Sequence, residues 1–283
     1  MESSLARAWT RLPRLLTVAI IVGLGISQLV LTLGDWHLRD MDAYWDAAVR
    51  LRNGDPLYPV LASTEASDVY RYAPWFAWAW VPVTALPREY ANVLWSAVLL
   101  LASAAALSPL ARDRAWLAVA FFAPVLVGIS AIGNVQPLIV AALVLGLERR
   151  SGPVWVAATA SLKVVPILFV VIYAIRGQWL RAAIAVVLAA ALVAPMLTYD
   201  LSAYPTGADA AAMLIRWPII YAVALGSAIV VSARLARSPF GWLAAAAAAC
   251  LALPRFFVYD VTFLLAGRPA PNPHSSREEH AAR

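Results

Sequence analysis

Charge is what this 283-residue sequence has least of. Charged residues make up 13% of it and hydrophobic residues 63%, where soluble domains carry about 25% and about 45–50%. That balance excludes an ordinary water-soluble domain. Cysteine is nearly missing too: Cys250 stands alone, which rules out an internal disulfide and any cysteine-based metal site. Set in an alanine-rich run, it reads as a small buried hydrophobe. His37, His274 and His280 are too scattered for a metal cluster. There is no Walker loop, no GxGxxG, no zinc spacing and no serine-hydrolase elbow. Neither a metal nor a cofactor is therefore expected. Lysine is the rarest charge, because Lys163 is the only one among 22 basic residues.

What remains is apolar runs with arginine between them. The formal charge of +6 does not point to nucleic acid, since the arginines sit in short clusters beside apolar runs, as the positive-inside pattern requires. Twelve Trp and ten Tyr fit belts at headgroup depth. The expected fold is all-α and polytopic, with roughly 8–10 membrane segments. A single membrane domain over 1–267 and a disordered polar tail over 268–283 are expected. Arg7, Arg11 and Arg14 precede an apolar run at 15–33, long enough to span a bilayer. It reads as an uncleaved first helix with a cytoplasmic N-terminus.

An outer loop over 34–72 follows. Within it, MDAYWDAAVRLRNG reads as an interfacial helix over 41–53. Met41, Tyr44, Ala48 and Leu51 share one face, and Asp42, Asp46 and Arg50 share the other. Gly54 and Pro56 stop it. Further apolar segments lie at 73–87, 90–110, 115–132, 137–148, 153–175, 179–197, 217–235, 240–252 and 254–267. Segment 73–87 reads as re-entrant or interfacial, because a crossing there would put Arg112 and Arg114 outside. Segment 153–175 has arginines on both flanks and is too short for two full spans. It reads either as two half-helices meeting between Lys163 and Pro166, or as one ordinary span.

Several polar residues break the apolar pattern. Lys163 falls about 15–16 Å into its segment, where an ammonium costs at least about 2.5 kcal/mol on insertion scales. A phosphate partner explains it, and so does snorkelling or a structural ion pair. Asp40, just before the interfacial helix, can act as a general base or as an N-cap. Asp35 and Asp42 compete with it for the first role. In SAIGNVQP, Asn134 and Gln136 can bond sugar hydroxyls or cap the turn. Arg71 and Tyr72 are interfacial anchors, unless Arg71 reaches a phosphate. Arg255, Tyr259 and Asp260, in the last apolar run, suggest a local ion pair.

In order, DMDAYWDAA, GDPLY, YRYAPWFAWAWVPVTALP, GNVQPLIVAAL and SLKVVP resemble glycosyltransferase family 87 over roughly residues 15–200. The family consists of polytopic GT-C-type enzymes and includes actinobacterial mannosyltransferases that use polyprenol-phosphate-mannose. Met41 stands where the pattern has Phe, Ala73 stands in its Y-P-P element, and the two amides of the polar turn are swapped. The resemblance implies a catalytic base at Asp40 and donor-phosphate binding by Lys163 and Arg71. It implies sugar or acceptor binding by Tyr44, Tyr72, Asn134 and Gln136. The implied reaction is an inverting sugar transfer, from a polyprenyl-phosphate donor to a lipid or glycan acceptor on the outer face of a bacterial plasma membrane. Family members continue with further helices after the point that Gly267 marks here, so an incomplete, inactive homologue is one alternative. A non-catalytic transporter, lipid flippase or assembly subunit is another.

Overall fold

The computed structural model describes residues 2–33, 37–59, 69–202, 213–253 and 256–270. Asp35, Arg255, His274, His280 and the tail beyond Ala270 lie outside the described residues. Every regular element among the described residues is helical. In chain order these are α1 (Glu2–Leu33), α2 (Arg39–Asn53), α3 (Pro74–Trp80), α4 (Arg88–Arg112), α5 (Trp116–Ala131) and α6 (Gln136–Gly146). Then come α7 (Gly152–Leu162), α8 (Val170–Ile175), α9 (Trp179–Val193), α10 (Met213–Arg216), α11 (Pro218–Leu235) and α12 (Gly241–Leu251). Four 3-10 segments join them, at Val81–Ala85, Val165–Phe169, Ala194–Thr198 and Val258–Gly267.

Three stretches are long and apolar enough to cross a membrane: Arg88–Arg112, Trp179–Thr198 and Pro218–Leu235. Their outward faces are greasy. Ile219 on α11 is 78% exposed and Leu101 on α4 71% exposed. Contiguous exposed apolar surface of this kind calls for a cover, and a bilayer supplies one.

Arginine marks one end of the bundle. The Arg14 guanidinium lies 5.5 Å from the centre of the Trp116 ring, so α1 passes the start of α5 at Arg14. Arg268 pairs with Asp113 at 2.9 Å, and the Ala270 N–H reaches the Val144 carbonyl at 2.7 Å. Arg176 pairs with Glu148 at 3.1 Å, and its Nε donates to the Ala236 carbonyl at 2.8 Å. Arg181 donates to the Leu147 and Arg149 carbonyls at 2.9 and 2.6 Å.

These contacts show that segment 153–175 doubles back. The Tyr173 hydroxyl, near the end of α8, donates to the Leu147 carbonyl just before α7 at 2.7 Å. Both feet of the α7–α8 hairpin therefore stand at the arginine-rich end. The helix breaks at Lys163, whose backbone is extended (φ −134°, ψ 123°). Eleven residues of α7 rise about 16 Å, roughly half a hydrocarbon core. The last apolar run repeats the device. A Cβ on Gly267 would lie 2.7 Å from the Cα of Leu243, so the 3-10 segment Val258–Gly267 returns along α12 to its base. Helices α5 and α6 form a third hairpin, turning at Ile132–Val135. The described tip residues of all three lie away from this arginine-rich end.

Segment 73–87 is not among the stretches long and apolar enough to cross a membrane. Helix α3 and Val81–Ala85 together rise roughly 20 Å and pack on α2. The interfacial helix starts earlier than the pattern predicts, at Arg39 instead of Met41, and its cap position is Leu38. Asp40 is thus the second residue of α2 and makes no N-cap, which corrects that alternative. The helix ends as expected at Gly54, in the left-handed region at φ 78°. It buries Met41, Ala43, Tyr44, Ala47 and Ala48. Tyr44 sits edge-on to Tyr72, Phe76 and Trp95, with centroids 5.2, 5.0 and 6.1 Å away. On the outer face Asp42 pairs with Arg88, whose guanidinium lies 4.6 Å from the Trp45 ring centre.

Gly133 seats α2 on the first hairpin tip. Its φ is +80°, and a Cβ there would lie 2.9 Å from the Cβ atoms of both Leu38 and Met41. Its carbonyl accepts from Trp95 Nε1 at 2.7 Å. Gly133→Ala is expected to cost about 1–2 kcal/mol from backbone handedness alone, and more from pushing α2 away. Thermal unfolding in detergent reads this as a lowered midpoint. An unchanged midpoint would show that the close approach carries no stability.

Candidate functional site

The start of α2 rests on the tip of the α5–α6 hairpin. The Asp40 N–H donates to the Ile132 carbonyl at 2.8 Å. Its carboxylate accepts from the side-chain amide of Asn134. Asn134 is held in turn, because its amide oxygen accepts the Gln136 N–H at 2.8 Å. That bond also satisfies one of the orphan donors at the start of α6. Gln136 Nε2 donates to Thr262 Oγ1 at 3.2 Å, and the Thr262 hydroxyl donates to the Tyr259 carbonyl at 2.7 Å. Gln136 Oε1 is a buried acceptor with no hydrogen-bond partner among the described residues.

The other two tips meet beside this chain of bonds. Lys163 Nζ donates to Asp260 Oδ1 at 3.0 Å. The second Asp260 oxygen accepts the Phe257 N–H at 2.9 Å. The ammonium also lies 4.7 Å from the centre of the Tyr259 ring, where the ring quadrupole attracts a cation. Asp260 is 1% exposed and Lys163 17%. The structural-ion-pair reading of Lys163 is therefore realised, with a partner 97 residues away and not through snorkelling. Among the described residues the ionic partner of Asp260 is this distant lysine; Arg255, the local candidate, lies outside them.

Burial lifts the Asp40 carboxyl above its ordinary value, while the Asn134 hydrogen bond and then the charges of Lys163, Arg39 and Arg71 pull it back. Those cations come from three different segments, so the fold assembles their field around one carboxylate. Arg71 is partly buried in a segment that two tyrosines tie down. Tyr70 donates to the Ala73 carbonyl at 2.8 Å, and Tyr58 donates to the Tyr72 carbonyl at 2.8 Å. Trp75 Nε1 donates to Ser161 Oγ at 3.0 Å, joining this segment to the end of α7.

The expected site residues thus divide in two. Asp40, Arg71 and Lys163 form one electrostatic group. Tyr44 lies behind it. Its hydroxyl accepts the Val135 N–H at 3.2 Å and lies 3.2 Å from the Tyr72 hydroxyl. Burial pushes the Tyr44 phenol well up, so it stays neutral. Asn134 is buried and aims Asp40. Three residues enter the site that motif reading does not place there: Asp260, Thr262 and Ser161. The legible signal was a second buried charge, Asp260, in a run too apolar to hold one unpaired.

No metal-binding group of three or more His, Cys, Asp or Glu occurs among the described residues. Compared with known proteins, the chain matches no family model, no curated protein and no solved structure. Fold and site define a class only: an all-helical, strongly apolar protein with a charged cluster where three half-length hairpins converge.

Proposed function

We propose that this protein is a GT-C-type membrane glycosyltransferase that moves a sugar, mannose by resemblance, from a polyprenyl-phosphate donor to a lipid or glycan acceptor. The observation that carries the reading is the setting of Asp40. Its carboxylate is half withdrawn from water, aimed by Asn134 and faced by cations from separate segments. By the positive-inside rule the arginine-rich end is cytoplasmic, and the site then opens toward the outer face. A lipid-linked donor suits that side. The ordered motifs shared with glycosyltransferase family 87 support the same reading.

In this mechanism Asp40 takes the proton of an acceptor hydroxyl. The freed oxygen attacks the anomeric carbon from the face opposite the phosphate. The sugar–phosphate C–O bond breaks, and the phosphate leaves with the electron pair. Lys163 and Arg71 stabilise the charge that develops on it. Incubating the purified protein with radiolabelled polyprenyl-phosphate-mannose and membrane lipids tests this. A labelled, chain-extended glycolipid is expected. Absence of any covalent product, with the lipid donor bound and intact, would overturn it.

One observation favours a rival reading. Half-length hairpins with charged tips also build transporter substrate sites. Movement of label across vesicles without a new glycosidic bond would select that reading.

The pH profile gives a separate check. A general base works only when ionised, and burial raises the Asp40 carboxyl. Activity should therefore fall as pH drops through a value above the ordinary carboxylate range. The Asn134 hydrogen bond favours the charged form, so Asn134→Ala should move this acid limb to higher pH. A limb that stays put in the variant would mean that Asn134 does not tune the base.

A further inference from the structure

Lys163 and Asp260 hold one another at the meeting point of two hairpin tips. Each hairpin has its feet at the opposite, arginine-rich end. The pair is asymmetric. Asp260 is sealed in, with one oxygen on Lys163 and the other on the Phe257 N–H. Lys163 keeps part of its side chain open and lies within the electrostatic reach of Asp40. A carboxylate and a phosphate oxygen make the same charge-assisted bond to an ammonium. Whatever anion enters next to Asp40 must therefore compete with Asp260 for the lysine.

We propose that Asp260 is a built-in competitor for the phosphate group of a lipid ligand: it holds Lys163 at the hairpin junction in the empty protein and yields it when a phosphate arrives. Asp260 is then a positioning residue that acts through Lys163 and touches no substrate. The empty protein avoids an uncompensated ammonium at depth. Binding exchanges one anion for another, with no net change in charge at the lysine. The exchange frees Asp260 Oδ1, while Phe257 still caps Oδ2. It also loosens the one ion pair that joins the α7–α8 tip to the 3-10 segment among the described residues. Thr262 lies two residues from Asp260 and bonds Gln136, so the release is felt at the turn that aims Asp40. The inference rests on the transferase reading for the ligand being a polyprenyl phosphate, but the competition itself is a property of the pair.

The test is binding, not turnover. Undecaprenyl phosphate, which carries no sugar to transfer, is titrated into the purified full chain in detergent, followed by tryptophan fluorescence. Inorganic phosphate is titrated in parallel. Asp260→Asn keeps an acceptor for the Phe257 N–H and removes the competing charge. It should bind undecaprenyl phosphate about tenfold more tightly than the wild type, the scale of one unit charge removed at a partly buried site. The same gain for inorganic phosphate would assign the site to phosphate in general, and a gain confined to the lipid would assign it to the polyprenyl form. Unchanged or weaker binding of both by folded Asp260→Asn overturns the proposal.

A second variant guards against failure to fold. Exchanging the two charges, as K163D with D260K, keeps a pair at the junction but seals the cation and opens the anion. It should retain folding and lose phosphate binding. Wild-type affinity in the exchanged protein would also overturn the proposal. If binding follows this pattern but no glycolipid ever forms, the competition stands and the transferase reading falls.

Discussion

Asp40→Asn is expected to lower sugar transfer by about 10²–10⁴-fold, the usual contribution of a positioned general base. The side chain keeps its size, and its amide oxygen can still accept from Asn134. The α2 backbone bond to Ile132 does not involve the carboxylate. Folding and membrane insertion should therefore be unchanged. The loss should fall on kcat, because proton removal develops in the transition state and contributes little to ground-state binding. Initial rates with labelled donor, set against equal amounts of detergent-extracted protein, measure it. Wild-type rates in this variant would end the assignment of Asp40. Asp42→Asn is the natural control. Its carboxylate is on the outer face of α2, paired with Arg88, and its loss should leave the rate nearly unchanged.

Lys163→Met should have the largest effect on stability. It removes the ammonium and leaves Asp260 sealed at 1% exposure with, among the described residues, a single remaining side-chain bond, from Phe257. Stranding one member of a buried pair costs about 3–5 kcal/mol. Replacing both residues, Lys163→Met with Asp260→Asn, removes the stranded charge and should recover most of the stability. Unfolding midpoints of the three proteins in detergent decide it. A single variant as stable as the wild type would mean that the pair does not hold the hairpins together.

These two expectations also show how far the sequence could be read. The all-helical architecture followed from composition and apolar runs. Arginines on both flanks of a run too short for two spans left a break near Lys163 and one ordinary span both open, and the structure has the break. Asp40 and Lys163 stood out because charge is rare and each lay where charge is costly or reactive. What the sequence withheld was pairing. Lys163 and Asp260 were each visible as anomalies, yet nothing local connects residues 97 positions apart. Only the folding back of both hairpins brings them together. Asn134 and Gln136 looked like ligand-binding amides, because a polar pair at a turn looks the same from sequence whether it faces a substrate or another side chain. Their partners, Asp40 and Thr262, lie on other elements. The α2 boundary was misjudged by two residues because Arg39 and Asp40 carry no apolar periodicity, although they complete the first helical turn.

The rooted hairpins also bear on how the chain is threaded. A hairpin that begins and ends at one end of the bundle leaves the sidedness of everything after it untouched. Among the described residues the chain changes ends along α1, α4, α9 and α11. The α5–α6, α7–α8 and α12–3-10 hairpins can each be lengthened, shortened or remodelled at the tip without inverting any helix that follows. Sidedness is thus carried by one set of helices and chemistry by another, so the tips are free to vary while the threading of the chain is preserved.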